Sequence, residues 1–248
     1  MAEQKFPSEV IDLPSEGKLY SEGHPCKDGK IEIKYMTAKE EDILTSQNLI
    51  KKGLVIDKLL NSLIVTPNVS CDDLILGDKN AVMVAARILA YGPEYTCEVT
   101  TPTGETSEQT FNLADCPFKY IDEKYNENLF ECELPISKKK IKFSLLTGKE
   151  ERLISKDIEA TKKVGSTVIP ELTTRLRYII KEVDGDNSQS VINETSVNML
   201  ARDSMFLREE MNDMSPDILL EQEIEIGGES VKVDIPMTVG FFWPDSEG

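Results

Sequence analysis

The spacing between apolar residues changes repeatedly along this chain, and that constrains its fold more than any single motif does. Lys30–Tyr35 (K-I-E-I-K-Y) alternates in steps of two, the period of a half-buried strand. Helical spacing then takes over. Thr37 with Glu40 three residues later forms a capping-box pair. Ile43, Leu44, Gln47 and Ile50 fall on one face, and Gly53 can end that helix. Val55, Leu59, Leu60, Leu63 and Ile64 make a second stripe, closed by Pro67. Asp78 is expected to cap a third helix over about Lys79–Tyr91, which stops at Gly92-Pro93.

From Glu94 the period returns to two. Tyr95–Val99 and Gln109–Leu113 alternate around a turn at Pro102 to Gly104, which predicts a hairpin. Residues 114–128 are polar and carry no clear period. Leu129–Leu134 and Lys140–Leu145 read as strands, with Pro135 marking a turn or sheet edge. Thr147 and Glu150 repeat the capping-box spacing and start a helix over Gly148–Lys163. Further helices are expected over Pro170–Val183 and Thr195–Asp213, separated by a polar loop at Asp184–Ser190. Ile224 and Ile226 before Gly227-Gly228, with Val231, Val233 and Ile235 after, predict a second hairpin.

Helices and strands that segregate in this way indicate α+β architecture and not a doubly wound parallel sheet. The expected organisation is an extended N-terminal arm over 1–36, a helical block with a β-hairpin over 37–135, and a second α+β lobe over 136–248. That second lobe would end in a hairpin and an aromatic tail. A length of 248 residues suits one large domain or two small ones.

Composition narrows the function. Lys and Arg number 28 against 45 Asp and Glu, a net charge of −17, which repels nucleic acid and anionic membrane surfaces. No apolar run is long enough to span a bilayer, and no secretory signal is visible. Five scattered cysteines without a close pair read as reduced thiols in a cytoplasmic protein. A zinc set of Cys97, Cys116 and Cys132 is the alternative to small buried apolar side chains, and the latter is preferred. Charge is uneven. Residues 137–181 hold 12 basic and 5 acidic side chains, whereas residues 186–248 hold 3 and 14. These opposed fields could neutralise each other within the chain or face partners.

Motifs for chemistry are missing. There is no phosphate-binding loop, no dinucleotide fingerprint and no nucleophile elbow. Asp184-Gly-Asp186-Asn-Ser188 opens like a calcium loop, but Gln189 and Thr195 stand where the glycine and the bidentate Glu belong. His24, the single histidine, lies beside Cys26, yet neighbours two apart in a loop seldom align as base and nucleophile. No enzyme activity, cofactor or metal is expected. Interaction features remain: a proline-punctuated arm and the terminal run Phe241-Phe242-Trp243-Pro244.

The ordered motifs resemble a family, the baseplate hub and assembly proteins of T-even-type contractile-tailed bacteriophages. The carrying pieces are L-P-S-E-G-K-L-Y at Leu13–Tyr20, E-E-D-I-L-T-S at Glu40–Ser46 and D-L-I-L-G-D-K-N at Asp73–Asn80. A-A-R-I-L-A-Y-G-P-E-Y at Ala85–Tyr95, R-D-S-M-F-L-R at Arg202–Arg208 and the terminal F-F-W-P complete the series. Some members carry a C-P-x-C-like element after the helical block. Here only Cys97 and Cys116 stand there, which weakens a zinc carry-over.

The resemblance implies a non-enzymatic component of the tail baseplate hub, built in the host cytoplasm and carried in the virion. The alternative is a transient tail-assembly chaperone. Implied partners are other hub or tail proteins, or further copies of this chain as a homo-oligomer, with no nucleic acid and no membrane. Pro14, Gly17, Leu19, Tyr20, Phe241, Phe242 and Trp243 are the expected contact residues. Asp78 and Arg87 are expected to be structural, with Arg87 pairing an internal acid such as Asp73 or Asp78.

Overall fold

The computed structural model describes residues 6–100, 104, 106–165, 168–226, 229–237 and 239–242. Helices and small antiparallel sheets are mixed, as α+β patterning requires. Strand β1 (Ser8–Asp12) pairs antiparallel with β2 (Lys30–Lys34), Ile11 opposite Ile31. Between them the chain is not an extended arm. Leu13 N–H donates to Gly29 O at 2.8 Å, and successive turns compact everything inside that closure. Gly17, Gly23 and Gly29 have φ of +75°, +84° and +74°, which lets the chain reverse where other residues would be strained. Leu13, Leu19, Tyr20 and Cys26 are buried as a result.

The helical block follows as α1 (Ala38–Leu44), α2 (Gln47–Lys51), α3 (Val55–Leu63) and α4 (Leu76–Tyr91). The helix expected to run from Thr37 to Gly53 breaks at Thr45-Ser46. Thr45 Oγ1 bonds back to Glu41 O at 3.1 Å, and Ser46 adopts extended backbone before α2. Hydroxyl side chains compete in this way with helical hydrogen bonding. Helix α4 starts earlier than expected, so Asp78 is its third residue and not its cap.

Strands β3 (Glu94–Thr100) and β4 (Thr106–Asn112) form the expected hairpin, with Tyr95 opposite Phe111 and Thr96 opposite Thr110. Part of its turn, including Pro102, lies outside the described residues. Then come β5 (Phe118–Lys119), β6 (Phe130–Glu133) and β7 (Lys140–Phe143). Helix α5 (Gly148–Lys163) has the bounds its capping box and basic last turn predict.

Two expected helices are divided. Helix α6 (Glu171–Ile179) gives way to strand β8 (Ile180–Val183), which joins the sheet β6-β7-β8. Ile180 and Val183 are β-branched and bury beside Phe143 and Ile141 on the open edge of β7, so packing overrides helical periodicity. The helix expected over Thr195–Asp213 is two helices, α7 (Gln189–Asn198) and α8 (Ala201–Met214). Met199 and Leu200 between them are extended. This aims the buried Asp203 at Ile136 N and Ser137 N, at 2.8 and 3.0 Å.

Strand β9 (Asp217–Ile218) pairs back with β5. Strands β10 (Glu221–Ile226) and β11 (Glu229–Asp234) form the second hairpin, whose Gly227-Gly228 turn lies outside the described residues. Segments on either side of residue 135 share one apolar core. Ile75 bridges Thr147, Asn80 bonds Asp217 at 3.1 Å, and a Cβ on Gly77 would lie 1.8 Å from Pro216 O. Among the described residues no helix is long and apolar enough to cross a membrane.

Candidate interaction surface

The residues expected at the N-terminal contact converge on Asp78 instead. Asp78 is fully buried and accepts Ser15 N at 2.9 Å, Ser15 Oγ at 2.6 Å and Tyr20 Oη at 2.6 Å. Tyr20 Oη in turn accepts Ile75 N at 3.1 Å. Burial raises the Asp78 carboxyl above its ordinary value, although the bonds from Ser15 and Tyr20 oppose it. Burial and the neighbouring Asp78 raise the Tyr20 phenol well above its own. Pro14, Gly17 and Leu19 are also buried, and a Cβ on Gly17 would meet Lys27 O at 2.2 Å. The expectation that Pro14, Gly17, Leu19 and Tyr20 meet a partner is therefore corrected. They pack this loop onto the N-terminus of α4.

The C-terminal aromatics are internal as well. Phe241 and Phe242 are buried, and Phe241 sits edge-on to Tyr95 at 5.0 Å. Trp243 lies outside the described residues. Arg87 does not pair with Asp73 or Asp78. Its Nε donates to Phe241 O at 2.9 Å, Nη1 to Gly92 O at 3.1 Å and Nη2 to Glu94 O at 3.3 Å. The guanidinium also lies 5.1 Å from the Tyr91 ring and 5.7 Å from that of Tyr95. One buried cation thus ties the end of α4, the start of β3 and the C-terminal segment together.

Cys26 and His24 are locked in the same loop. The imidazole stacks on Tyr20 at 4.4 Å, and its Nδ1 accepts Cys26 N at 3.1 Å. The Cys26 sulfur is fully buried and its thiol is pushed up to about 12, chiefly by burial. A thiol held this far from ionisation does not act as a nucleophile at neutral pH. Cys116 is buried and Cys97 and Cys132 half-buried, in keeping with small apolar side chains.

Asp57, Cys71 and Asp72 come together with ligand atoms within 4.8 Å of one another. Each carboxylate already has an internal cation: Lys79 Nζ lies 2.6 Å from Asp57, and Arg152 Nη2 lies 2.6 Å from Asp72. Burial pushes the Cys71 thiol up to about 11. These ion pairs join α3 to α4 and the 70–73 turn to α5.

The surface beside it is more informative. A groove of about 840 Å³ runs between the Lys51–Leu54 turn and α5. It presents Lys51, Lys52, Lys79, Arg152, Lys156 and Lys163, against the carboxylates of Asp57, Glu151 and Glu159. A second feature flanks the α5–α6 connection. Val164 is 87% exposed, Val168 74%, and Ile169 and Leu172 are also exposed. Apolar side chains grouped at a connection are unusual unless something covers them. Both features were legible as the K-K-G turn after α2 and the V-G-S-T-V-I-P run at 164–170, but neither lies in the residues singled out from sequence.

Comparison with protein-family models, with curated proteins and with solved structures returns no match for this chain.

Proposed function

We propose that this chain is a non-enzymatic structural component or assembly factor of the baseplate hub of a contractile phage tail, working through protein–protein contacts. The ordered series of motifs from Leu13 to Pro244 supports the family assignment. The observation that carries the mode of action is the surface: exposed apolar side chains around the α5–α6 connection stand beside a groove whose Lys51, Lys52 and Lys156 make no described ion pair. Such a surface selects neighbours and fixes register. Its partners are other hub or tail proteins, met in the host cytoplasm during assembly and in the finished virion.

A mass-spectrometric inventory of purified tails, with stoichiometry for this chain, tests the reading. Retention at a fixed copy number supports a structural component. Presence only on unfinished intermediates assigns the transient chaperone role. Absence from both tails and intermediates removes the proposal.

A further inference from the structure

Helix α5 walls the groove beside the Lys51–Leu54 turn along its whole length. Gly148, Arg152, Ser155, Lys156, Glu159 and Lys163 line the recess and recur at helical spacing, so one face of the helix looks into it. From Gly148 to Lys163 that face runs about 22 Å, at about 1.5 Å per residue. An extended chain covers this length in about seven residues. The carboxylates in the groove are already matched: Asp57 lies 2.6 Å from Lys79, Glu151 2.6 Å from Arg175 and Glu159 3.9 Å from Lys163. Arg152 is matched by Asp72 at 2.6 Å. Lys51, Lys52 and Lys156 are exposed and make no described ion pair. Positive charge is therefore left over in this recess, on a chain whose net charge is −17. Beside the Lys163 end the surface turns apolar, with Val164, Ile169 and Leu172 exposed.

We propose that this groove binds an extended acidic segment of a partner protein, with an apolar residue at the end that meets Val164. Carboxylates on the segment would pair with the three unmatched lysines, whose flexible stems can follow acids presented at several positions. Complementary charge steers the encounter and fixes the register, and the apolar end adds buried area. The net charge of −17 opposes an acidic partner at long range, but at about 0.1 M salt that repulsion is screened beyond roughly 10 Å.

Nucleic acid fits the groove less well. A duplex carries one charge per about 1.7 Å of axis, and Asp57, Glu151 and Glu159 oppose that density within the recess. No aromatic side chain among the described lining residues offers a single strand a base to stack on. The inference deepens the reading of this surface as a protein contact by stating the partner's chemistry. It rests on that contact and not on the hub assignment.

The test is fluorescence anisotropy of a labelled peptide of alternating Glu and Ser ending in Leu, about eight residues long. It is titrated with the full chain at about 0.1 M salt. Binding should saturate, and should be lost when the peptide carries Gln in place of Glu. K51Q/K52Q/K156Q should weaken it about tenfold. K39Q/K138Q/K140Q makes the same change in net charge at exposed lysines outside the groove, and should alter binding less than about twofold. An unchanged circular dichroism melt checks that both variants fold. On the wild type, zero-length carbodiimide coupling should join the peptide's carboxylates to Lys51, Lys52 or Lys156. Absence of saturable binding overturns the proposal, as does equal weakening by the two variants or coupling confined to lysines outside the groove. Tighter binding of an oligothymidylate of equal charge, lost in K51Q/K52Q/K156Q, assigns the groove to nucleic acid and also overturns it. So does self-association of the wild type that the same variant abolishes, which assigns the groove to a second copy. Failure here would leave retention in tails unaffected, and absence from tails and their intermediates would leave peptide binding standing.

Discussion

Tyr20 and Asp78 meet at 2.6 Å in the interior, hydroxyl to carboxylate, 58 residues apart in the chain. This bond and the two from Ser15 make the N-terminal loop part of the fold. Tyr20→Phe should lower unfolding free energy by about 1–3 kcal/mol, because Ile75 N–H also loses its acceptor. Asp78→Ala should cost about 3–5 kcal/mol by leaving Ser15 and Tyr20 unsatisfied. Urea denaturation measures both. Deletion of residues 1–20 should unfold the protein; a native melt from the truncated chain would show that the loop is dispensable.

Glu40 gives the fold an acid limit. Its carboxylate is fully buried, which by itself opposes ionisation. Ser62 Oγ at 2.6 Å, Thr37 Oγ1 at 2.6 Å and Lys34 Nζ at 2.9 Å outweigh that and hold it at about 2 against an ordinary 4.5. The unfolded state binds this proton first, so the contribution is present above about 4.5 and is lost as pH falls toward about 2. Its size is on the order of 3 kcal/mol. Asp78, raised by burial, acts in the opposite sense: its contribution declines as pH rises from the unfolded value toward the folded one. The difference in stability between wild type and E40Q should therefore shrink on acidification. A difference constant from pH 6 to pH 3 would refute this account of Glu40.

Arg87→Ala removes three donors from three backbone carbonyls at once. The expected cost is about 2–4 kcal/mol. Chymotrypsin should also cut at Phe241 or Phe242 sooner in this variant, well before the remainder of the chain. Arg87→Lys should rescue poorly, since one ammonium cannot span carbonyls in three directions.

Gly77→Ala should fail to give a native protein. Its Cβ would lie 1.8 Å from Pro216 O and 3.0 Å from the Asp217 Cα, both parts of the main chain, so no side chain can move to make room. Gly53→Ala makes the comparison: a Cβ there meets nothing within 4 Å, though its φ of +64° still carries about 1 kcal/mol of strain. Similar loss in the two variants would argue against the close approach of α4 to the 216–217 chain.

Thiol labelling separates buried from accessible cysteines. Cys26 and Cys71 are fully buried, with thiols pushed up to about 12 and 11. Iodoacetamide at pH 8 should leave both unmodified in the folded protein, while the half-buried Cys97 and Cys132 react slowly. Rapid native-state alkylation of Cys26, read by peptide mass, would contradict its burial within the loop.

Elements whose signals are local were legible in the chain before it folded. The Thr147–Glu150 pair set the bounds of α5, Gly227-Gly228 marked the hairpin of β10 and β11, and the alternation from Tyr95 fixed β3 against β4. A cap, a turn residue or a period acts within a few positions, so it can be read along the chain. Tertiary structure decided the rest. Ile180–Val183 became a strand because β7 offered an edge, and the helix after Thr37 broke where the Thr45 hydroxyl could bond back to Glu41 O. Tyr20 and Phe241 turned inward because Asp78 and Arg87 wait there, 58 and 154 residues distant. A buried donor or charge takes whichever partner the fold brings within about 3 Å, and no local pattern encodes that meeting.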